Sequence, residues 1–270
     1  MAIKVGIVAG RGDLPRQLVD ACRAARVDVF VLALQGEAEQ QTVADVPHAW
    51  CRLAAGGTAL GLLRDNDVTD LVFAGGVRRP SLASLRPDWR AAKFFARVGY
   101  RALGDDGLLS AIVKEVEAEG FRVRGAHQLL ELLMPEGALG AHIPDSDAQA
   151  DIERGVHVAQ TLGALDIGQG VVVQQGLVLG VEAIEGTDAL LRRCIELRRE
   201  GAGGVLVKVE KPEQERRMDL PTIGPDTITA AREAGLRGIA VEAGATLVLD
   251  RDEVIRRADA AGLFVVGIRL

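Results

Sequence analysis

The residues with the most chemistry in this sequence lie over positions 208–223, KVEKPEQERRMDLPTI. Lys208, Lys211, Arg216 and Arg217 stand there beside Glu210, Glu213, Glu215 and Asp219. Ammonium and guanidinium groups suit phosphate oxygens, and a carboxylate can hold a divalent metal or orient a water molecule. The apolar run GVLV at 204–207 comes just before and reads as a buried strand. Gly224-Pro225-Asp226-Thr227 comes just after and reads as a helix start. A strand that runs through a charged loop into a helix is where open α/β sheets place ligands. The same composition also describes a solvated surface loop, so the assignment needs support from elsewhere in the chain.

Two further clusters have the same form. AGRGDLP at 9–15 follows the apolar run IKVGIV. Gly10 and Gly12 permit close backbone approach, and the following helix offers its N-terminal N–H groups and dipole to phosphate. Arg11 sits between the two glycines. The dinucleotide fingerprint is incomplete, because the position three beyond Gly12 is Pro15. FAGGVRRP at 73–80 repeats the pattern with Gly75, Gly76, Arg78 and Arg79, and the crossover rule brings both loops to one sheet edge. Arg78 and Arg79 are candidates for a diphosphate or for lipid headgroup oxygens. Glu185, Gly186 and Thr187 open the run EGTDALL. At a helix start they suit phosphate or hydroxyl binding through backbone N–H groups and the threonine hydroxyl.

The elements that must position these clusters alternate between strand and helix periodicity. Strands are expected over 3–8, 27–34, 70–73 and 121–123, and helices over 15–26, 57–65, 85–99 and 104–120. The polar stretch after Gln35 reads as loop. Trp89, Phe94 and Phe95 are expected in the core, and Asp105 or Asp106 as a helix cap. His127 reads as structural. Residues 135–146 are rich in Gly, Ala, Pro and Asp and are the candidate linker. Beyond them come a helix to about 162, a hairpin over 171–183 turning at Gln-Gln-Gly, and a helix over 185–200 capped by Thr187 or Asp188. A strand, a helix, two strands, a helix over 252–261 and a last strand complete the chain. This predicts α/β architecture throughout: a Rossmann-like nucleotide-binding domain over 1–134 and a second, catalytic α/β domain with a mixed sheet over 147–270.

Composition removes several classes. The chain has 270 residues, 48% of them hydrophobic and 3% aromatic, so Val, Leu, Ile and Ala must fill the core. A net charge of −6 and the lack of aromatics interleaved with basic residues argue against nucleic acid as a partner. Cys22, Cys51 and Cys194 are scattered and odd in number, which fits a reducing cytoplasm. There is no signal-peptide pattern and no apolar run near the ~20 residues that span a bilayer.

Taken together, AGRGDLP, FAGGVRRP, GDDGLL at 104–109, DIGQGVVVQQGLVLGVEAIEGTDALL at 166–191 and KPEQERRMDLPTIG at 211–224 resemble the LpxI family, the UDP-2,3-diacylglucosamine pyrophosphatases of lipid A synthesis. The resemblance covers nearly the whole chain, in order. It implies hydrolysis of UDP-2,3-diacylglucosamine to UMP and 2,3-diacylglucosamine 1-phosphate, lipid X, with attack at the phosphorus on the sugar side. It implies Mg2+ or another divalent cation, and a ligand between two α/β domains. The aspartate of the family's DLP motif is essential, and that position here is Asp219, as catalytic residue and metal ligand. The implied substrate-binding set is Gly10, Arg11, Gly12, Leu14, Gly75, Gly76, Arg78, Gln169, Glu185, Gly186, Thr187, Lys208, Lys211 and Gln214. Arg11 departs from relatives, which often carry Gly or Asn there. A homodimer in the cytoplasm, with peripheral contact to the inner membrane, completes the expectation. The competing readings are a dinucleotide-dependent oxidoreductase and a carrier that binds nucleotide or lipid without cleaving it.

Overall fold

The computed structural model describes residues 3–78, 87–98, 105–212 and 214–270. These residues form two compact units. The first runs to Glu131 and includes Glu215–Asp219. The second comprises Leu132–Gln214 and Leu220–Leu270.

In the first unit the strands are β1 (Lys4–Ala9), β2 (Asp28–Leu34), β3 (His48–Cys51), β4 (Asp70–Ala74) and β5 (Arg122–Arg124). The helices are α1 (Leu14–Ala24), α2 (Gly56–Asp65), α3 (Trp89–Val98) and α4 (Asp105–Ala118). The sheet order is β3-β2-β1-β4-β5, with every pairing parallel. This is a doubly wound sheet whose connections reverse between β1 and β4, the place such folds reserve for ligands. Strands buried on both faces need continuous apolar runs, and β2 supplies one in Val29–Leu34.

Strand β3 lies in the stretch read as loop from the sequence. It is a four-residue edge strand that pairs with β2 alone among the described strands. So short a segment carries little signal of its own, because strand preference depends on the partner. Phe94 is buried as expected and Phe95 is half-buried, but Trp89 is 83% exposed, contrary to the core expectation. It is the first residue of α3, just after Asp88. The Asp88 carboxylate accepts from Gly57 N, Thr58 N and Ala91 N and so ties the starts of α2 and α3 together. Arg79 and the capping of α4 by Asp105 or Asp106 fall outside what is described.

Asp70, fully buried at the start of β4, fastens the three-residue edge strand β5. It accepts from Arg122 at 2.8 Å, from Arg124, and from Thr69 at 2.7 Å. Burial pulls its pKa up, but the hydrogen bonds from Arg124, Thr69 and Arg122 outweigh burial and hold it below the usual carboxylate value.

The second unit contains β6 (Gly137–Ala138), α5 (Ser146–Ala164), β7 (Gly170–Gln174), β8 (Leu177–Val181), α6 (Thr187–Cys194) and β9 (Val205–Lys208). It continues with β10 (Thr222–Ile223), α7 (Pro225–Glu233), β11 (Gly238–Glu242), β12 (Leu247–Val248), α8 (Arg251–Ala261) and β13 (Phe264–Ile268). Its main sheet is mixed, as expected, in the order β6-β13-β11-β9-β7-β8. β13, β11 and β9 run parallel. β7 is antiparallel to both neighbours, and β6 is antiparallel to β13. β10 and β12 form a separate parallel pair. Residues 135–146, expected as a linker, carry β6. Leu139 is buried and donates its N–H to Val265 O, and Ala141 N donates to Asp259.

One face of the sheet is covered by α6, α7 and α8 through Leu190, Leu191, Ile228 and Val254. The other is covered by α5. The α5 face is built from small residues, with Ala148, Gly155, Ala159 and Gly163 buried alongside Ile152, so the helix lies close on β7 and β9. The hairpin turn uses Gln175 and Gly176, both at positive φ, as a type I′ turn demands. Asp151 of α5 locks it by accepting from both turn N–H groups, at 3.0 and 2.7 Å.

A Cβ on Gly155 would lie 2.4 Å from Val207 Cγ2 and 2.8 Å from Val207 Cβ. Gly155→Ala gains roughly 1 kcal/mol of helix propensity but meets an overpacking cost of about 1–3 kcal/mol. The expected outcome in a thermal melt is a lower Tm, and a raised Tm would contradict this packing. For Asp70 the depressed native pKa means stability that is present above the unfolded value of about 3.9 and is lost as pH falls through the native one. The Tm gap between the native protein and Asp70→Asn should therefore be widest near neutrality and shrink below about pH 4. A gap that stays constant from pH 7 down to acid would contradict this linkage.

Candidate active site

At the switch point of the first unit the two glycine loops are hydrogen-bonded to each other. Gly10 N donates to Ala74 O at 2.8 Å, Arg11 N to Gly76 O at 2.8 Å, and Gly76 N to Arg11 O at 3.0 Å. A Cβ on Gly10 would stand 2.5 Å from Gly76 O, and one on Gly75, at φ +86°, would stand 2.4 Å from Arg11 O. These two glycines are therefore required by the approach of one loop to the other. Gly12, at φ +89°, and Gly76 have open space where a Cβ would be. The glycines thus divide into a pair that joins the loops and a pair that leaves room beside them.

Leu14 begins α1 with its side chain buried, so what it offers a ligand is its backbone N–H. Asp13 at the N-cap makes no side-chain cap, which leaves that helix end unblocked. Arg11 Nε lies 2.8 Å from Glu37 Oε2, a charge pair whose geometry does not make a hydrogen bond. The same carboxylate oxygen accepts from Arg78 N at 3.2 Å. Glu37 therefore gathers both loops. Nothing in its sequence neighbourhood marked it, since it lies three residues beyond β2 in a polar run.

In the second unit the expected residues converge at the carboxyl ends of the parallel strands. Lys208, last in β9, pairs in register with Gly170 and is 6% exposed. Its ammonium donates to Thr222 O at 3.3 Å and has no carboxylate within ion-pair distance among the described residues. Lys211 N donates to Gln214 Oε1 at 3.0 Å, and Lys211 Nζ pairs with Asp166 at 2.7 Å. Gln214 Nε2 reaches Gln169 Oε1 at 3.4 Å, and Val209 N donates to Gln169 O. Glu210 N donates to Glu242 of β11 at 2.9 Å. Gln169, Lys208, Lys211 and Gln214 are thus neighbours, joined by Asp166 and Glu242, which only the topology brings in.

The N-cap of α6 is Gly186, at φ +80°, and not Thr187 or Asp188 as expected. Glycine takes that backbone angle without strain, which moves the helix start back by one residue. Thr187 is then the first helical residue, and its hydroxyl donates to Glu182 at 2.7 Å. Glu185 pairs with Arg193 at 2.8 Å. Helix α6 also ends at Cys194, short of the expected 200.

Asp219 closes a tight turn in which Met218 N and Asp219 N both donate to Glu215 O. Arg217 forks onto Glu215 with two bonds of 2.8 Å and reaches Glu117 of α4 at 2.8 Å. That fork holds the Glu215 carboxyl below its usual range, and Glu215 in turn pushes the Arg217 pKa up. Arg217, a sequence candidate for neutralising phosphate, is committed to these carboxylates. The turn belongs to the first unit, while Gln214 and Leu220 on either side belong to the second. Among the described residues no group of three or more His, Cys, Asp or Glu is placed to hold a metal ion. A lone carboxylate still fits Mg2+, which commonly takes one or two protein carboxylates and completes its shell with phosphate oxygens and water.

A 3-2-1-4-5 parallel sheet with joined glycine loops at its switch point, followed by a mixed sheet whose strand ends collect buried lysines, defines a two-unit α/β protein of doubly wound and mixed sheets. Residues 4–133 match the LpxI N-terminal domain and residues 135–266 the LpxI C-terminal domain. The chain belongs to the LpxI family. It is 44% identical over 273 residues to the UDP-2,3-diacylglucosamine pyrophosphatase LpxI of Caulobacter vibrioides, covering 98% of this chain and 97% of that relative.

The glycine geometry separates two variants. Gly12→Val should fold, at a cost of about 1–2 kcal/mol for a side chain at positive φ, and should lose UMP affinity. Gly10→Ala should lower Tm more, because its Cβ overlaps the facing loop. Melting curves and UMP titrations compare them. A folded Gly12→Val protein with native UMP affinity would remove nucleotide from this loop.

Proposed function

We propose that this protein hydrolyses the diphosphate of UDP-2,3-diacylglucosamine to UMP and 2,3-diacylglucosamine 1-phosphate, a step of lipid A synthesis. The observation that carries the reading is the 44% identity to the Caulobacter vibrioides pyrophosphatase over nearly the full length of both chains. The geometry agrees with it, since each unit holds groups of the kind the reaction requires. Gly12, Gly76 and the unblocked start of α1 suit the phosphates of a nucleotide. Lys208, buried without a counter-ion among the described residues, suits an anionic oxygen that loses its water on binding.

In this reaction a water oxygen bonds to the sugar-side phosphorus as the bond from that phosphorus to the bridging oxygen breaks. UMP leaves with the bridging oxygen, and the water's protons pass to solvent. Lys208 and Lys211 offset charge on the phosphoryl oxygens. Asp219 accepts a hydrogen bond from the attacking water and orients it. Mg2+, which Asp219 would help to hold, would supply charge neutralisation on the diphosphate. We further place the protein in the cytoplasm as a homodimer, with peripheral contact to the inner membrane where a diacylated substrate resides. No described helix is long and apolar enough to cross a membrane.

Asp219→Ala tests the centre of this reading. Asp219 is half-exposed in a turn, so its loss should cost on the order of 0.5 kcal/mol of stability or less. Turnover should fall roughly a hundredfold or more, as for other single catalytic groups. The variant should still bind the intact substrate. Release of UMP and lipid X, followed by mass spectrometry at saturating Mg2+, gives the answer. Near-native turnover would return Asp219 to an ordinary surface role. Binding without cleavage by the unaltered protein would make it a carrier.

A further inference from the structure

Glu182, the residue after β8, is a buried carboxylate that the reaction above does not use. It is 7% exposed, and no lysine or arginine lies within ion-pair distance of it among the described residues. One oxygen, Oε1, accepts the Thr187 hydroxyl hydrogen at 2.7 Å. The other, Oε2, is out of contact with solvent and has no hydrogen-bond partner among the described residues. Native proteins seldom leave such an atom unsatisfied, and those they do leave call for an explanation.

The position is constructed. Glu182 N donates to Gly170 O at 2.7 Å. A Cβ on Gly170 would lie 2.5 Å from Glu182 Oε2, and a Cβ on Gly168 would lie 2.0 Å from Glu182 O. A side chain at Gly170 would displace the carboxylate, and one at Gly168 would displace the Glu182 backbone carbonyl. Gln169, between those glycines, is already joined to Gln214, and through it to Lys211.

Thr187 has a single O–H, and that hydrogen is spent on Glu182. Towards any other group its oxygen offers lone pairs alone. Thr187 is therefore unsuited to donating to a phosphate, the role its place at a helix start suggested. Together with the unsatisfied Oε2, it forms a pair of acceptors with a negative charge behind them.

We propose that Glu182 and Thr187 recognise a hydrogen-bond donor on the substrate, a sugar hydroxyl or an amide N–H, and not a phosphate oxygen. The proposal rests on the pyrophosphatase reading, whose substrate carries such donors on both its glucosamine and its uridine parts. A ligand that lacks the donor is discriminated against strongly at a site of this kind, because the buried acceptor is left without a partner.

The test is Glu182→Gln, which keeps the shape and one oxygen for Thr187 but puts an NH2 donor where Oε2 was. Tm, kcat, KM for UDP-2,3-diacylglucosamine, and calorimetric affinities for UMP and for lipid X are compared with the native protein. The expected result is a near-native Tm, a KM raised tenfold or more with a smaller change in kcat, and a weakened affinity for one product. Loss confined to lipid X places the donor on the glucosamine, and loss confined to UMP places it on the nucleoside. Thr187→Val should repeat the effect and Thr187→Ser should not, which keeps the test sound should Glu182→Gln fail to fold. Native KM and native affinity for both products in these variants would overturn the proposal, as would equal losses that merely follow a lowered Tm. If the unaltered protein binds the products but cleaves nothing, the pyrophosphatase reading fails and the calorimetry still decides the role of Glu182.

Discussion

The first unit depends on the hydrogen bonds that close the loop after β1 onto the loop after β4. Gly10 and Arg11 pair with Ala74 and Gly76 as a strand would, at the one place in the sheet where the connections turn opposite ways. That pairing demands two residues without side chains, Gly10 and Gly75, because each would otherwise overlap a facing carbonyl. It spends backbone groups that would otherwise be free for a ligand. What stays available is the start of α1 and the space beside Gly12 and Gly76. Glu37 completes the arrangement by drawing Arg11 and the amide of Arg78 to one carboxylate.

The second unit works under a different constraint. Its parallel strands bring their carboxyl ends to one edge, and there the chain buries charge. Lys208 and Glu182 are each more than nine-tenths buried, and neither has an opposite charge within ion-pair distance among the described residues. Removing a charge from water costs free energy that an apolar side chain of similar size would not. Charges that serve structure are treated differently: Asp70 in the first unit has two arginines, and Asp151 in the second has two turn amides. The contrast separates the charges that hold this fold together from those it carries at a stability cost.

The turn at Glu215–Asp219 connects the two constraints. Its flanks lie in the second unit, yet it belongs to the first, where Arg217 ties Glu215 to Glu117 of α4. The carboxylate of Asp219 therefore sits on a segment whose conformation is set by a fork of charge-assisted hydrogen bonds, not by a regular element. Arginine geometry matters here, since a lysine could not make the same two parallel bonds to one carboxylate.

Much of this was open to reading from the sequence. The strand and helix periods, the two glycine loops and the hairpin at Gln175-Gly176 are all local patterns, and the structure shows elements at those places, with α6 the exception in ending at Cys194 instead of running to 200. Local patterns report local physics: which face is apolar, where glycine is needed, where a helix can start. They carried the family resemblance as well, because motifs are strings. The chain alone did not determine the partners of those residues. Strand β3 exists because β2 is beside it, the start of α6 falls on Gly186, and Trp89 stays in solvent. Glu37, Asp166 and Glu242 carry no mark in their own neighbourhoods, and the topology placed them beside Arg11, Lys211 and Glu210, which are 26, 45 and 32 positions away by the numbering. Hydrogen bonding and desolvation act through space over a few ångströms, whatever the separation along the chain, so the pairing of a charge is decided only when the strands have found their neighbours.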